Sequence, residues 1–171
     1  MFDERSVEEE DKGSDVRRRA LKGPEEGDEA LFTVFELGRK DYGLEIEFVL
    51  EILDGVDHQR VPGSPETVMG ASDLRGDIVP VVDLKRCLGI GRTEKIENKV
   101  LVIEVDEVYM VPVDGLKDII SVEEEELVEP SEVTNLSEEN LKWLIDLDDR
   151  SVRVLDIEKI LERARGLKMG D

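Results

Sequence analysis

A mainly β fold, built as closed barrels or a sandwich, is what this chain predicts, and three observations carry it. Side chains alternate between two faces in short runs, as where Leu31, Thr33, Phe35 and Leu37 interleave with Phe32, Val34 and Glu36. Turn residues recur between these runs at close intervals, from Gly38 through Asp54-Gly55 and Gly76 to Asp114-Gly115 and Asp148-Asp149-Arg150. Helical periodicity is confined to a few short stretches. Strands this short argue against a parallel sheet with crossover helices.

Taken in order, the first run and Tyr42, Leu44 and Ile46 form a hairpin around Gly38-Arg39-Lys40-Asp41. Phe48 to Leu53 is a further apolar segment, closed by Asp54-Gly55. Val68 to Leu74 and Ile78 to Val82 bracket the Arg75-Gly76 turn. Val100 to Val105 and Val108 to Val113 make a second hairpin across Asp106-Glu107. Lys117 to Val122 reads as a strand, as do Leu144 to Leu147 and Val152 to Leu155. Asp83 can cap a short helix that places Leu84, Cys87 and Leu88 on one face and stops at Gly89. Ser137 can cap another, with Glu138 and Glu139 in its first turn. Asp156 caps a terminal helix whose stripe, Ile157, Ile160, Leu161 and Ala164, suits packing against the sheets, and Gly166 is its expected stop.

Residues 1–29 are charged and glycine-punctuated, with little to bury, and read as a disordered acidic extension; the folded domain is expected over 30–171. A hydrophobic fraction of 39% supports a core, and with aromatics at 4% it must be filled by Val, Ile and Leu. No run of about eighteen apolar residues is present, so no membrane span is expected. A single cysteine, Cys87, and an N-terminus without an apolar secretory segment favour the cytoplasm. The net charge of −21 disfavours nucleic acid and anionic lipid as partners. It has two readings: a generally acidic soluble surface, or adaptation to a salt-rich cytoplasm in which counterions screen self-repulsion.

Catalytic and metal chemistry find little support. One Cys and one His, His58, leave structural zinc without ligands. Carboxylate pairs such as Asp148-Asp149 are uninformative among 44 acidic residues and fit turns and solvated edges. Gly89-Ile90-Gly91-Arg92-Thr93-Glu94 lacks the third glycine of a nucleotide loop and follows a helix rather than a strand. No cofactor is expected.

The most specific stretch runs from Val61 to Leu84. Glycines and prolines punctuate it, and Leu74-Arg75-Gly76 precedes the apolar run Ile78-Val79-Pro80-Val81-Val82. A turn there presents the Arg75 guanidinium either to a partner's oxygens or to a local acid. This stretch carries a resemblance. With Phe35-Glu36-Leu37-Gly38, Tyr42-Gly43-Leu44-Glu45-Ile46, Val49-Leu50-Glu51-Ile52 and Val113-Asp114-Gly115, it resembles the CheW-like family of bacterial and archaeal chemotaxis adaptors from Leu31 to about Arg165. Asp73 stands where the family usually has asparagine, and could hold the Arg75 guanidinium.

The resemblance implies two five-stranded SH3-like barrels sharing an apolar seam, with short helices and a C-terminal helix. It implies no catalysis. It implies an adaptor that couples the cytoplasmic tips of methyl-accepting chemoreceptors to the regulatory domain of the histidine kinase CheA, at receptor arrays on the membrane. The alternative is a regulatory CheW-like fragment of a CheA or CheV-type protein. Carried over by motif position, Arg75, Glu51 and Val49 are implied to face the receptor, and Gly70, Val68 and Val49 the kinase.

If the acidity is an adaptation to salt, the melting temperature should climb steadily from low to molar KCl as screening relieves repulsion. A flat profile would leave only the generally acidic surface.

Overall fold

The computed structural model describes residues 29–96, 99–130 and 140–169, the last four as backbone alone. The extension, apart from Glu29, and the helix expected after Ser137 lie outside the described residues. The strands are β1 (Glu29–Leu37), β2 (Lys40–Glu45), β3 (Val49–Leu53), β4 (Val68–Leu74), β5 (Asp77–Val82), β6 (Val100–Glu104), β7 (Val108–Pro112), β8 (Gly115–Glu123), β9 (Leu127–Val128), β10 (Leu141–Asp146) and β11 (Ser151–Leu155). Helix α1 spans Leu84–Leu88 and α2 spans Ile157–Met169.

These strands form two sheets. One is six-stranded, in the order β8-β1-β2-β11-β10-β9; the other is five-stranded, in the order β3-β6-β7-β5-β4. Two features differ from expectation. The first sheet gains a sixth strand because the two residues of β9, inside an acidic run, still pair with Leu144 and Ile145. Both pairing orders are open, so ladder hydrogen bonds close neither sheet into a barrel. In the five-stranded sheet the gap is spanned otherwise. Gln59, downstream of β3, bridges to Ala71 of β4 through N–H···O bonds of 2.9 and 2.8 Å, and Ser72 Oγ donates to the Asp57 carbonyl at 2.6 Å.

Both short hairpins obey turn chemistry. Leu37 pairs with Lys40 and Leu74 with Asp77, leaving two-residue loops, Gly38-Arg39 and Arg75-Gly76. All four loop residues have positive φ, at 57° and 75° and at 51° and 96°, the requirement of a type I′ connection. Arg39 and Arg75 are the only non-glycine residues in that region among those described, at a steric cost of about 1–2 kcal/mol each. Asp73 serves the second turn: its Oδ1 accepts from Gly76 N–H at 2.7 Å, so it caps the hairpin rather than holding Arg75.

Asp83 caps α1. Its carboxylate, 3% exposed, accepts from Lys85 N–H at 3.2 Å and from the N–H and Oγ1 of Thr93, each at 2.8 Å. Gly89, at φ 72°, closes the helix with the left-handed residue expected of a C-terminal cap. Helix α2 does not stop at Gly166 but continues to Met169. A helical glycine costs only about 1 kcal/mol relative to alanine, too little to end a helix alone.

Three apolar clusters fill the molecule. One lies within the first sheet, around Phe32, Val34, Val152 and Val154. A second lies within the other sheet, around Val79, Val81, Val102 and Met110. The third and largest belongs to both. Phe35, Leu37, Tyr42 and Leu44 of the first sheet meet Val82, Leu101, Ile103 and Val111 of the second, sealed by Ile157, Ile160 and Leu161 of α2. Cys87 packs against this seam, and burial pushes its thiol up to about 12, so it stays protonated. Cys87 is half-buried, so the expected buried packing is met only in part.

Asp114 ties the sheets together at one end. Its Oδ2 accepts from Gly38 N–H at 2.7 Å in the β1–β2 turn, its backbone N–H donates to the Glu36 carbonyl at 2.9 Å, and its Oδ1 lies 3.0 Å from Lys85 Nζ on α1. Replacing Asp114 by Ala leaves the Gly38 donor without its carboxylate and should cost about 1–3 kcal/mol, read as a lower urea midpoint at unchanged m-value.

Candidate functional site

The five-stranded sheet presents a polar pair and an apolar groove. The pair is Arg75 and Glu51, whose guanidinium and carboxylate are hydrogen-bonded. Glu51 lies on β3 and Arg75 in the β4–β5 turn, at opposite ends of the strand order, so the sheet curls far enough to bring its two edges together. The Arg75 side chain is 68% exposed and that of Glu51 31%. An ion pair this accessible contributes about 0–1 kcal/mol and exchanges readily for another partner.

The groove encloses about 660 Å³ and is open to solvent. Val68, Gly70 and Ala71 of β4 and Ile78, Pro80 and Val82 of β5 form one side. The Val61–Pro65 loop and Tyr109, Ala164 and Arg165 complete it. Among the described residues, its charged ones are Glu107 and Arg165, which pair at 3.2 Å. Arg165 also donates to the Tyr109 hydroxyl at 3.3 Å; burial, against the opposing pull of Arg165, holds that hydroxyl above its ordinary value of 10.0. No carboxylates converge here, and no group of metal-ligating side chains occurs among the described residues. The arrangement suits the capture of an apolar surface.

Ile78 shows why the sequence misleads locally. The run Ile78 to Val82 reads as uniformly buried, yet β5 alternates. Val79 and Val81 point into the sheet's own cluster, while Ile78 and Pro80 face the groove, Ile78 at 73% exposure. Val82, also against the groove, is buried because it reaches the seam.

Of the residues singled out from sequence, Arg75 and Glu51 are brought together, and Val68 and Gly70 share the groove. Val49 is not with them. On β3 it pairs with Ile103 of β6, packs half-buried against the seam and does not line the groove. Gly70 has an intramolecular reason to be glycine. A Cβ there would lie 2.3 Å from the Gln59 carbonyl oxygen and 2.8 Å from its carbon. Its small size admits the chain's own Gln59 bridge. Ile78, Tyr109 and Arg165 escaped sequence reasoning, because neither periodicity nor motif places them at one groove.

The CheW-like domain family matches residues 31–165. The chain belongs to the CheW-like family. It is 33% identical over 133 residues to the chemotaxis protein CheW of Klebsiella aerogenes, covering 76% of this chain and 80% of that one. It is 30% identical over 145 residues to the chemotaxis protein CheW of Helicobacter pylori, covering 81% and 86%. The crystal structure of the scaffolding protein TtCheW from Thermoanaerobacter tengcongensis superposes with a TM-score of 0.68 at 29% identity, over 74% of this chain and 88% of that one. No helix among the described residues is long and apolar enough to cross a membrane.

Gly70→Ala should force the Gln59 segment away and cost about 1–3 kcal/mol, the usual penalty of overpacking, seen as a lower melting temperature. Unchanged stability would mean that the Gln59 bridge yields freely.

Proposed function

We infer that this protein is a chemotaxis coupling adaptor, and propose that it joins chemoreceptor cytoplasmic tips to the histidine kinase CheA by holding each on a different part of the five-stranded sheet. The observation that carries this reading is the open apolar groove beside an exchangeable ion pair. The groove, with Val68, Gly70 and Ile78, offers an apolar face of the kind that a regulatory domain would cover. Arg75 and Glu51 offer a fork and a carboxylate to the polar surface of a receptor tip. Val49, half-buried at the head of β3, is assigned to support Glu51 rather than to touch either partner.

Family membership supports the chemotaxis role, and the high coverage of relatives named as CheW favours a coupling protein over a regulatory piece of CheA or a CheV-type protein. Each sheet is proposed to be a gapped SH3-like barrel; the Gln59–Ala71 bridge and the Arg75–Glu51 pair support this in the five-stranded one. A regulatory domain of the same fold would then pair with it lobe against lobe. The work would be done in the cytoplasm, at membrane-bound receptor arrays.

The two surfaces separate by mutation. Arg75→Ala should weaken binding of a receptor tip fragment by about 2–5 kcal/mol if the contact is desolvated, against about 0–1 if it stays exposed, read by titration calorimetry. Ile78→Asp, at a position too exposed to disturb the core, should weaken binding of the CheA regulatory domain while leaving receptor binding unaltered. Unchanged affinity of a folded Arg75→Ala variant would return Arg75 to a structural role, and unchanged kinase affinity of Ile78→Asp would place the kinase elsewhere.

A further inference from the structure

Beside the groove, and separated from it by Val68, lies a second and smaller recess of about 280 Å³ with a different character. Arg60, Arg86, Arg92 and His58 all line it. This convergence is unexpected in a chain of net charge −21 with only 23 basic residues. Three carboxylates also line the recess, but they are not equivalent to three neutralising partners. Asp83 is turned inward, 3% exposed, with its oxygens already taken by Thr93 and Lys85 N–H. Glu66 pairs with Arg86 at 2.7 Å and Glu94 with Arg92 at 3.5 Å, yet these glutamate side chains are 79% and 73% exposed. Such pairs contribute about 0–1 kcal/mol and release their arginines cheaply. Arg60 is exposed and makes no ion pair or side-chain hydrogen bond among the described residues.

We propose that this recess is a binding site for a small oxyanion of the phosphate class. An incoming dianion meets Arg60 without displacing anything and draws Arg86 and Arg92 from their solvent-exposed glutamates. A tetrahedral oxyanion offers enough oxygens for several guanidinium forks, whereas a lone carboxylate is satisfied by one. The His58 ring supplies further polar lining. No metal ion is needed, because the guanidinium groups supply the charge.

The test uses the full chain and two probes, inorganic phosphate and pyrophosphate, at about 0.15 M KCl, where the Debye length of about 8 Å damps the field of the distant acids. Titration calorimetry and amide chemical shifts are read together. Saturable binding is expected, with shifts concentrated at Thr93, Arg92 and Met69. Arg60→Gln and Arg92→Gln, both exposed and distant from the core, should each weaken binding at least about tenfold, which corresponds to about 1.4 kcal/mol. Absence of saturable binding by both probes would overturn the proposal. So would binding that survives both substitutions. Binding of an acidic peptide at Thr93 and Met69 with neither probe competing would also overturn it, and would make the recess a contact for a protein partner.

Discussion

The structure depends on one apolar seam that neither sheet owns. Each sheet keeps a modest cluster of its own, but the largest apolar cluster is assembled from Phe35, Leu37, Tyr42 and Leu44 on one side and Leu101, Ile103, Tyr109 and Val111 on the other. The chain route enforces this sharing. It lays down β1 and β2, leaves to build the whole of the second sheet, then returns to complete the first with β8 to β11. Helix α2 closes the seam with Ile157, Ile160 and Leu161. Burial of large side chains such as these contributes about 1.5–3 kcal/mol each, so the sharing is what makes two small sheets one stable body.

Function inherits its geometry from that seam. The groove wall at Ala164 and Arg165 belongs to α2, whose position is fixed by the buried stripe one turn earlier. Tyr109 stands in both the seam and the groove, and Val82 does the same from β5. The proposed docking face is therefore the outer side of side chains already held by the core, a rigid platform that would cost little ordering on binding. The Arg75–Glu51 pair differs in kind: it rests on an exposed two-residue turn and is free to exchange.

The sequence made the local elements legible and left the non-local ones hidden. Alternation and turn chemistry located nearly every strand, and the Asp83 and Gly89 caps bounded α1. The parallel pairings of β2 with β11 and of β5 with β7 join segments far apart in the chain, and no local pattern encodes them. Strand β9 is hidden among surrounding glutamates, and a single glycine such as Gly166 does not by itself end a helix. At the site, the motif around Arg75 stood out because glycine and proline punctuate it. Its meaning was less accessible: Asp73 caps the turn, Glu51 takes the guanidinium, and Gly70 serves Gln59. Those are relations between residues that only meet once the sheet has curled.

If the seam makes the two sheets a single cooperative unit, they must unfold together. Trp143, the chain's only tryptophan, packs against the first sheet's own cluster, and the amides of β6 report on the second sheet. Urea unfolding followed by Trp143 fluorescence and by hydrogen exchange at Leu101 to Ile103 should give coincident transitions with one midpoint. Two separated midpoints, with one sheet persisting after the other has melted, would contradict the shared core as the basis of the fold and of the surface it supports.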